Sequence, residues 1–300
     1  MSTFQHFGLI GLLIPTLCSA SALPSSLLKP RQELKYKSYT AVGDSYASGV
    51  GAGVAAPENE KFPQCRRNVG SYAVQYALKN PGLKFQFNSC SGYQTENTKS
   101  TQILWGNSAF GNPELVTVQA GGNDGSAFYR IATDCAYGYD EGKCTAAIEN
   151  AEGVFKNKQA DFEGLIEAAL THNMDNQKSG SRTVAVIGYP SLYNHNNWLR
   201  PDCLNLTPQR RERINGISRE LNGALEAATK AMDGKSGNKA VFVDIDEKFN
   251  GHRLCDNDEQ WIIGGPGFAG NHDDNPPWVA YFHPGEHGHQ AILQSLLSKI

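Results

Sequence analysis

Ser45 stands in the stretch AVGDSYASG, residues 41–49, directly after an apolar run and ahead of Gly49, Gly51 and Gly53. Gly43 before it and the glycines after it let the backbone turn sharply and expose the hydroxyl. A serine hydroxyl is a weak nucleophile alone; it needs a base within hydrogen-bond reach and donors for the oxyanion that develops on an attacked carbonyl. Two further stretches offer donors: the main-chain N–H of Gly92 in NSCSGYQ, and the side-chain amide of Asn123 in VQAGGNDGSAF. Taken singly, each reads more readily as a turn. The base has to come from the eight histidines. AYFHPGEHGHQAI holds His283, His287 and His289, and position alone does not choose among them. As an HxH pair, His287 and His289 suggest a metal, but two residues apart at the start of a helix they fall on different faces, so no metal site is expected.

These residues need a frame that brings them together. Five short apolar, β-branched runs recur, at 37–43, 83–89, 115–121, 183–189 and 240–246. Between them, SYAVQYALKN, QADFEGLIEAALTHN and the segment from Thr207 to Met232 read as helices, the last with Pro208 in its first turn. A further helix follows His283. Strands alternating with helices predict right-handed crossovers, and hence a three-layer α/β/α sandwich around a mostly parallel five-stranded sheet. Ligands bind such sheets at the carboxyl ends of the strands. Asp44 and Ser45, Cys90 to Gly92, Gly122 to Asp124, Tyr189 and Pro190, and the segment after Asp246 should therefore converge. Asp44 reads as a turn or hole-supporting carboxylate, because adjacent residues of a strand point to opposite faces. Asp244 and Asp246 could share a face and hold a cation, but no other ligand cluster supports it and a strand-end turn is preferred.

Composition narrows the setting. An apolar fraction of 40% and a formal charge of -3 leave no basic footprint, so no nucleic-acid partner is expected. Residues 1–22, MSTFQHFGLIGLLIPTLCSASA, hold an apolar stretch too short to span a bilayer, followed by small residues suited to cleavage. The expectation is a signal peptide over 1–22, a tail over 23–36, one domain over 37–300, no transmembrane segment, and a secreted product. Seven cysteines become six when Cys18 leaves with the signal, and an even number in a secreted chain argues for disulfides. Neighbour pairing is the simplest: Cys65 with Cys90, Cys135 with Cys144, Cys203 with Cys255. Asn205 in NLT is an N-glycosylation acceptor, with Pro208 close behind it lowering the odds of use. A monomer without metal or organic cofactor is expected.

In order and spacing, AVGDSYASGVGAG, NSCSG, VTVQAGGNDGSAF and YFHPGEHGH resemble the four blocks of the GDSL, or SGNH, hydrolases. Residues 37–300 look most like the secreted, three-disulfide lipase and esterase branch of that family, fungal or bacterial; VAVIGYPSLYN and FNGHRLCDNDEQWI add to the likeness. The resemblance implies a flavodoxin-like fold, Ser45 as nucleophile and His283 as base. It implies an oxyanion hole made by the N–H groups of Ser45 and Gly92 and the Asn123 amide. His252 then becomes a structural or pocket-wall histidine. One departure stands out: Ala280 occupies the place, three residues before the histidine, where the family usually has Asp. The Ala280 carbonyl is the expected group on Nδ1, giving a Ser–His dyad, with Asp273 or Asp274 reaching in as the alternative. The activity implied is hydrolysis of carboxylic esters through an acyl-serine. Lipid or phospholipid acyl esters lead, with acetylated polysaccharide or another small ester close behind. The rival reading is a secreted binding or effector protein that has lost catalysis, motivated by Ala280.

Overall fold

Apolar, β-branched runs without a polar face form the centre of the sheet. Every residue of β3 (Leu115–Gln119) and β4 (Thr183–Ile187) is buried, the pattern of strands covered on both faces. β1 (Ser38–Gly43) lies beside β3, while β2 (Lys84–Phe87) and β5 (Lys239–Val243) form the edges of a five-stranded sheet of order β2-β1-β3-β4-β5. All four pairings are parallel. After β1 the chain builds toward one edge, and from β3 onward toward the other. The crevice opened by that reversal lies between the carboxyl ends of β1 and β3, where Gly43 pairs with Gln119.

The structure is a computed structural model that describes residues 34–104, 110–138, 140–173, 181–194, 203, 206–256, 259–265 and 278–300. The expected signal peptide, most of the tail, Asn205, Asp273 and Asp274 lie outside the described residues. Leu34–Ile300 is one compact unit.

The helices used below are α1 (Ser45–Ser48), α2 (Tyr72–Lys79), α3 (Glu141–Lys156), α4 (Gln159–Thr171), α5 (Pro208–Met232) and α6 (Glu286–Leu297). α2 packs with α6, and α5 packs with both α3 and α4, which gives the sheet its two helical layers. The α5 start is the one its sequence suggests: Thr207 Oγ1 accepts from the Arg210 N–H at 3.2 Å, with Pro208 in the first turn. Asp140 caps α3 through the Lys143 N–H at 3.1 Å.

At the far end of the sheet from the crevice, Arg182 precedes β4 and is wholly buried. Its Nε donates to the Pro113 carbonyl at 2.8 Å, Nη1 to the carbonyls of Ala169 and His172 at 2.8 and 2.9 Å, and Nη2 to Asn173 Oδ1 at 2.9 Å. The cation thus satisfies carbonyls that the end of α4 leaves without helical partners. Burial lowers it to about 10, which still keeps it charged at neutral pH.

The disulfides are Cys65–Cys90, Cys135–Cys144 and Cys203–Cys255, the expected neighbour pairing. Among the described residues no helix is long and apolar enough to cross a membrane.

Candidate active site

β1 ends at Gly43, where φ is +144° and a Cβ would meet the Gln119 carbonyl oxygen at 2.1 Å. Only glycine fits, so the chain can turn directly against β3. The Gly43 carbonyl accepts from the Cys90 N–H at 2.9 Å and from Gln102 Nε2 at 2.8 Å, which draws the 88–93 turn to the same strand end. Asp44 follows and caps α1, its Oδ1 accepting from the Tyr46 N–H at 2.9 Å. Ser45 is the first residue of that single turn, which closes at Gly49 in the left-handed region.

His283 arrives from a strap that precedes α6. Its carbonyl accepts from the Ile263 N–H at 2.9 Å, and the Phe282 N–H donates to the Ile263 carbonyl at 2.7 Å. Nε2 of the imidazole lies 2.7 Å from Ser45 Oγ, and Nδ1 lies 3.0 Å from the Tyr281 carbonyl oxygen. A carbonyl can only accept, so Nδ1 carries the proton and Nε2 is left to accept from the Ser45 hydroxyl. Burial pushes the imidazole down to about 4, against the Tyr281 and Ala280 carbonyls that favour its charged form, and the Arg66 charge adds to the depression. At neutral pH the ring is therefore uncharged and free to take a proton.

The Nδ1 contact corrects the expectation for Ala280. Its carbonyl accepts the main-chain N–H of His283 at 3.1 Å, and the ring turns instead to Tyr281, one residue along. Both carbonyls still favour the imidazolium.

Asn123 sits after β3 and lines the same cavity as Ser45 and His283. Its Nδ2 donates to the Tyr93 carbonyl at 3.1 Å, which joins the β3 end to the turn that contains Gly92. Gly92 has φ of +81° and open space where a Cβ would project, although it is not among the cavity's lining residues. Asp124, buried beside Asn123, accepts from the Thr95 N–H at 2.8 Å and pairs with Lys158 at 3.5 Å. It ties the same two segments together from below.

His289, His287 and His252 go elsewhere. His289 is buried, with Nδ1 accepting from the Tyr72 N–H at 3.3 Å, and burial pushes it down to about 3. His287 is exposed and contacts Glu259 at 2.9 Å. His252 stacks on Trp261 with ring centroids 3.6 Å apart, the structural reading of that residue. Asp246 accepts from the Ser191 N–H at 2.6 Å and pairs with Arg253 at 2.9 Å, while Asp244 accepts from the Asp246 N–H at 2.9 Å. The two carboxylates thus serve a strand-end turn. Among the described residues no three His, Cys, Asp or Glu side chains cluster as a metal site would need.

Ser45 and His283 open onto a cavity of about 470 Å³. Its walls include Phe128, Ile131, Tyr137, Leu192, Val279 and Phe282. Part of that wall belongs to Ile131–Ala136, held by the Cys135–Cys144 disulfide. Sequence reasoning did not single out this segment, nor Tyr46 as more than an aromatic neighbour of the serine. The available signal was Cys135 inside the 127–137 stretch, paired with Cys144 beyond it.

Residues 41–291 match the GDSL-like lipase/acylhydrolase family. Among curated proteins the chain is similar to a lipase of Streptomyces rimosus, 31% identical over 81% of this chain and 82% of that one. It is also similar to lipase 1 of Streptomyces coelicolor, 30% identical over 84% and 86% respectively. Among solved structures, the extracellular lipase of Streptomyces rimosus superposes with a TM-score of 0.71 at 25% identity, covering 88% of this chain and 100% of that one. Phospholipase A1 of Streptomyces albidoflavus gives a TM-score of 0.71 at 26% identity over the same shares. A parallel sheet of order β2-β1-β3-β4-β5, a serine after its first strand and this breadth of likeness lead to one assignment: the chain belongs to the GDSL-like lipase/acylhydrolase family and is a carboxylic ester hydrolase.

Proposed function

We propose that the protein is a secreted, monomeric lipase-type esterase that cleaves acyl esters of lipids through an acyl-serine on Ser45. The observation that carries this reading is the 2.7 Å contact between Ser45 Oγ and His283 Nε2 at the mouth of an apolar cavity. Ser45 attacks the ester carbonyl as His283 takes its proton. The oxyanion is held by the N–H groups of Ser45 and Gly92 and the side chain of Asn123. The imidazolium then protonates the departing alcohol, and water repeats the sequence to release the acid. With the Tyr281 carbonyl on Nδ1, the tautomer is fixed by a neutral acceptor rather than a carboxylate.

Walls of Phe, Tyr, Leu, Ile and Val suit an acyl chain better than an acetylated sugar, whose hydroxyls would be left without partners. The names of the lipase and phospholipase A1 relatives point the same way. Three disulfides support an oxidising, extracellular setting. The formed Ser–His contact argues against a binding protein without catalysis. The test is hydrolysis of p-nitrophenyl esters from acetate to palmitate by wild type and Ser45→Ala. Turnover that favours longer chains and vanishes in the variant supports the proposal; turnover that survives Ser45→Ala, or that is confined to acetate, counts against it.

A further inference from the structure

Tyr46 follows Ser45 in the chain, yet its side chain belongs to the other half of the site. Its hydroxyl donates to the Phe282 carbonyl at 2.5 Å, and its ring lies against the His283 imidazole with centroids 5.1 Å apart. It is 4% exposed. The residue is itself held firmly: its N–H donates to Asp44, and its ring packs on Tyr189 at 5.1 Å.

Phe282 is a residue that needs holding. Its φ of +66° is in the left-handed region, which a residue with a bulky side chain rarely adopts. Its peptide group leads directly into His283, so a rotation of that peptide moves the imidazole.

We propose that Tyr46 is a positioning residue: by fixing the Phe282–His283 peptide, its hydroxyl sets the spacing between His283 Nε2 and Ser45 Oγ. The residue after the nucleophile thereby carries the base, and the two reacting side chains are referenced to one another across 238 residues of sequence. The family's name spells Leu at this place, a side chain with no donor, whereas this chain reads Gly43-Asp44-Ser45-Tyr46. Burial, with the Asp44 charge adding to it, raises the Tyr46 hydroxyl well above its ordinary value, so it remains a donor at any working pH.

The inference rests on the catalytic roles proposed above, and the test separates the two. Tyr46→Phe removes only the hydroxyl; Tyr46→Leu removes the ring as well. The measurements are kcat and KM on p-nitrophenyl butyrate across pH, and an NMR titration of the His283 imidazole. For Tyr46→Phe we expect kcat to fall roughly tenfold or more with KM within about twofold of wild type, since misplacing a base costs rate rather than binding. The acid limb and the imidazole titration should both move to higher pH as a loosened ring meets more water. Tyr46→Leu should fall further. Wild-type kcat and an unmoved imidazole in Tyr46→Phe would overturn the proposal, as would a loss confined to KM. If Tyr46→Leu does not fold, Tyr46→Phe, which keeps the packing, decides. Were the wild type itself inert on every ester, the catalytic reading would fail, and the imidazole titration would still decide whether Tyr46 holds His283.

Discussion

The hydroxyl of Tyr189 lies 2.6 Å from Oδ2 of Asp44, and through it the end of β4 grips the turn that presents Ser45. The Gly122 N–H reaches the same hydroxyl at 3.4 Å, so residues following β1, β3 and β4 meet at one buried carboxylate. Burial pushes Asp44 up to about 7, against the hydrogen bonds from Tyr189 and Tyr46, and the Asp124 charge adds to the rise.

A stability signature follows from Asp44. Its folded value lies above its ordinary 3.8, so the folded state holds the proton more tightly. Stability present below about pH 4 is lost as pH rises through about 7, by an amount on the order of a few kcal/mol. Asp44→Asn can still cap α1 through Oδ1, with Nδ2 now donating to the Tyr189 hydroxyl, and does not titrate. The difference in Tm between variant and wild type should therefore shift in favour of Asp44→Asn from pH 4 to pH 8. A difference that stays constant contradicts the assignment; the histidine contributions cancel in this comparison.

His283 titrates in the opposite sense. Its value is lowered from 6.5 to about 4 by burial, and the base must be neutral to act. The acid limb of kcat/KM should fall near pH 4, with activity largely kept at pH 5.5, and Arg66→Gln should move the limb to higher pH. A limb at 6.5 contradicts a ring held uncharged by its surroundings. For stability, His283 and His289 are both depressed, so their contributions are present above about pH 6.5 and lost as pH falls toward 4 and 3.

The cavity wall should set chain-length preference. Ala132 lines the cavity, and Ala132→Phe narrows it while leaving Ser45 and His283 unchanged in the sequence. The ratio of kcat/KM for palmitate over acetate esters should drop by roughly tenfold or more, because lost apolar contacts accumulate along the chain. An unchanged ratio means that the acyl chain lies elsewhere.

Arg182 offers a test of the scaffold remote from the chemistry. Arg182→Ala leaves the carbonyls of Pro113, Ala169 and His172 buried without that donor, and unfolding by urea should show a loss of about 2–4 kcal/mol. A change under about 0.5 kcal/mol would mean that water replaces the guanidinium at little cost.

Much of this arrangement was legible in the sequence. Four of the five β-branched runs contain their strands and the fifth, 240–246, misses only Lys239 at the start of β5; β3 and β4 are buried throughout, and no run carries a competing helical period. Ser45 and Asn123 stand at strand ends beside glycines that are dictated locally, whereas position alone left three histidines open and the resemblance to the GDSL hydrolases singled out His283. The Nδ1 partner was not legible: choosing between Ala280 and Tyr281 depends on the strained turn at Phe282, which no residue type announces. Tyr46 and Tyr189 read as ordinary aromatics, since their hydroxyl partners lie 236 and 145 residues away. α3 was also missed, its buried face being a thin stripe of Ala147, Ile148, Ala151 and Phe155 with Cys144.

The most direct test of the account is covalent capture of the serine. Folded protein treated with a p-nitrophenyl organophosphonate, then digested and mapped by mass, should carry one adduct, on Ser45, absent in Ser45→Ala and formed far more slowly in His283→Ala. Folded wild type that takes up no reagent, or carries it on another residue, would contradict an activated Ser45.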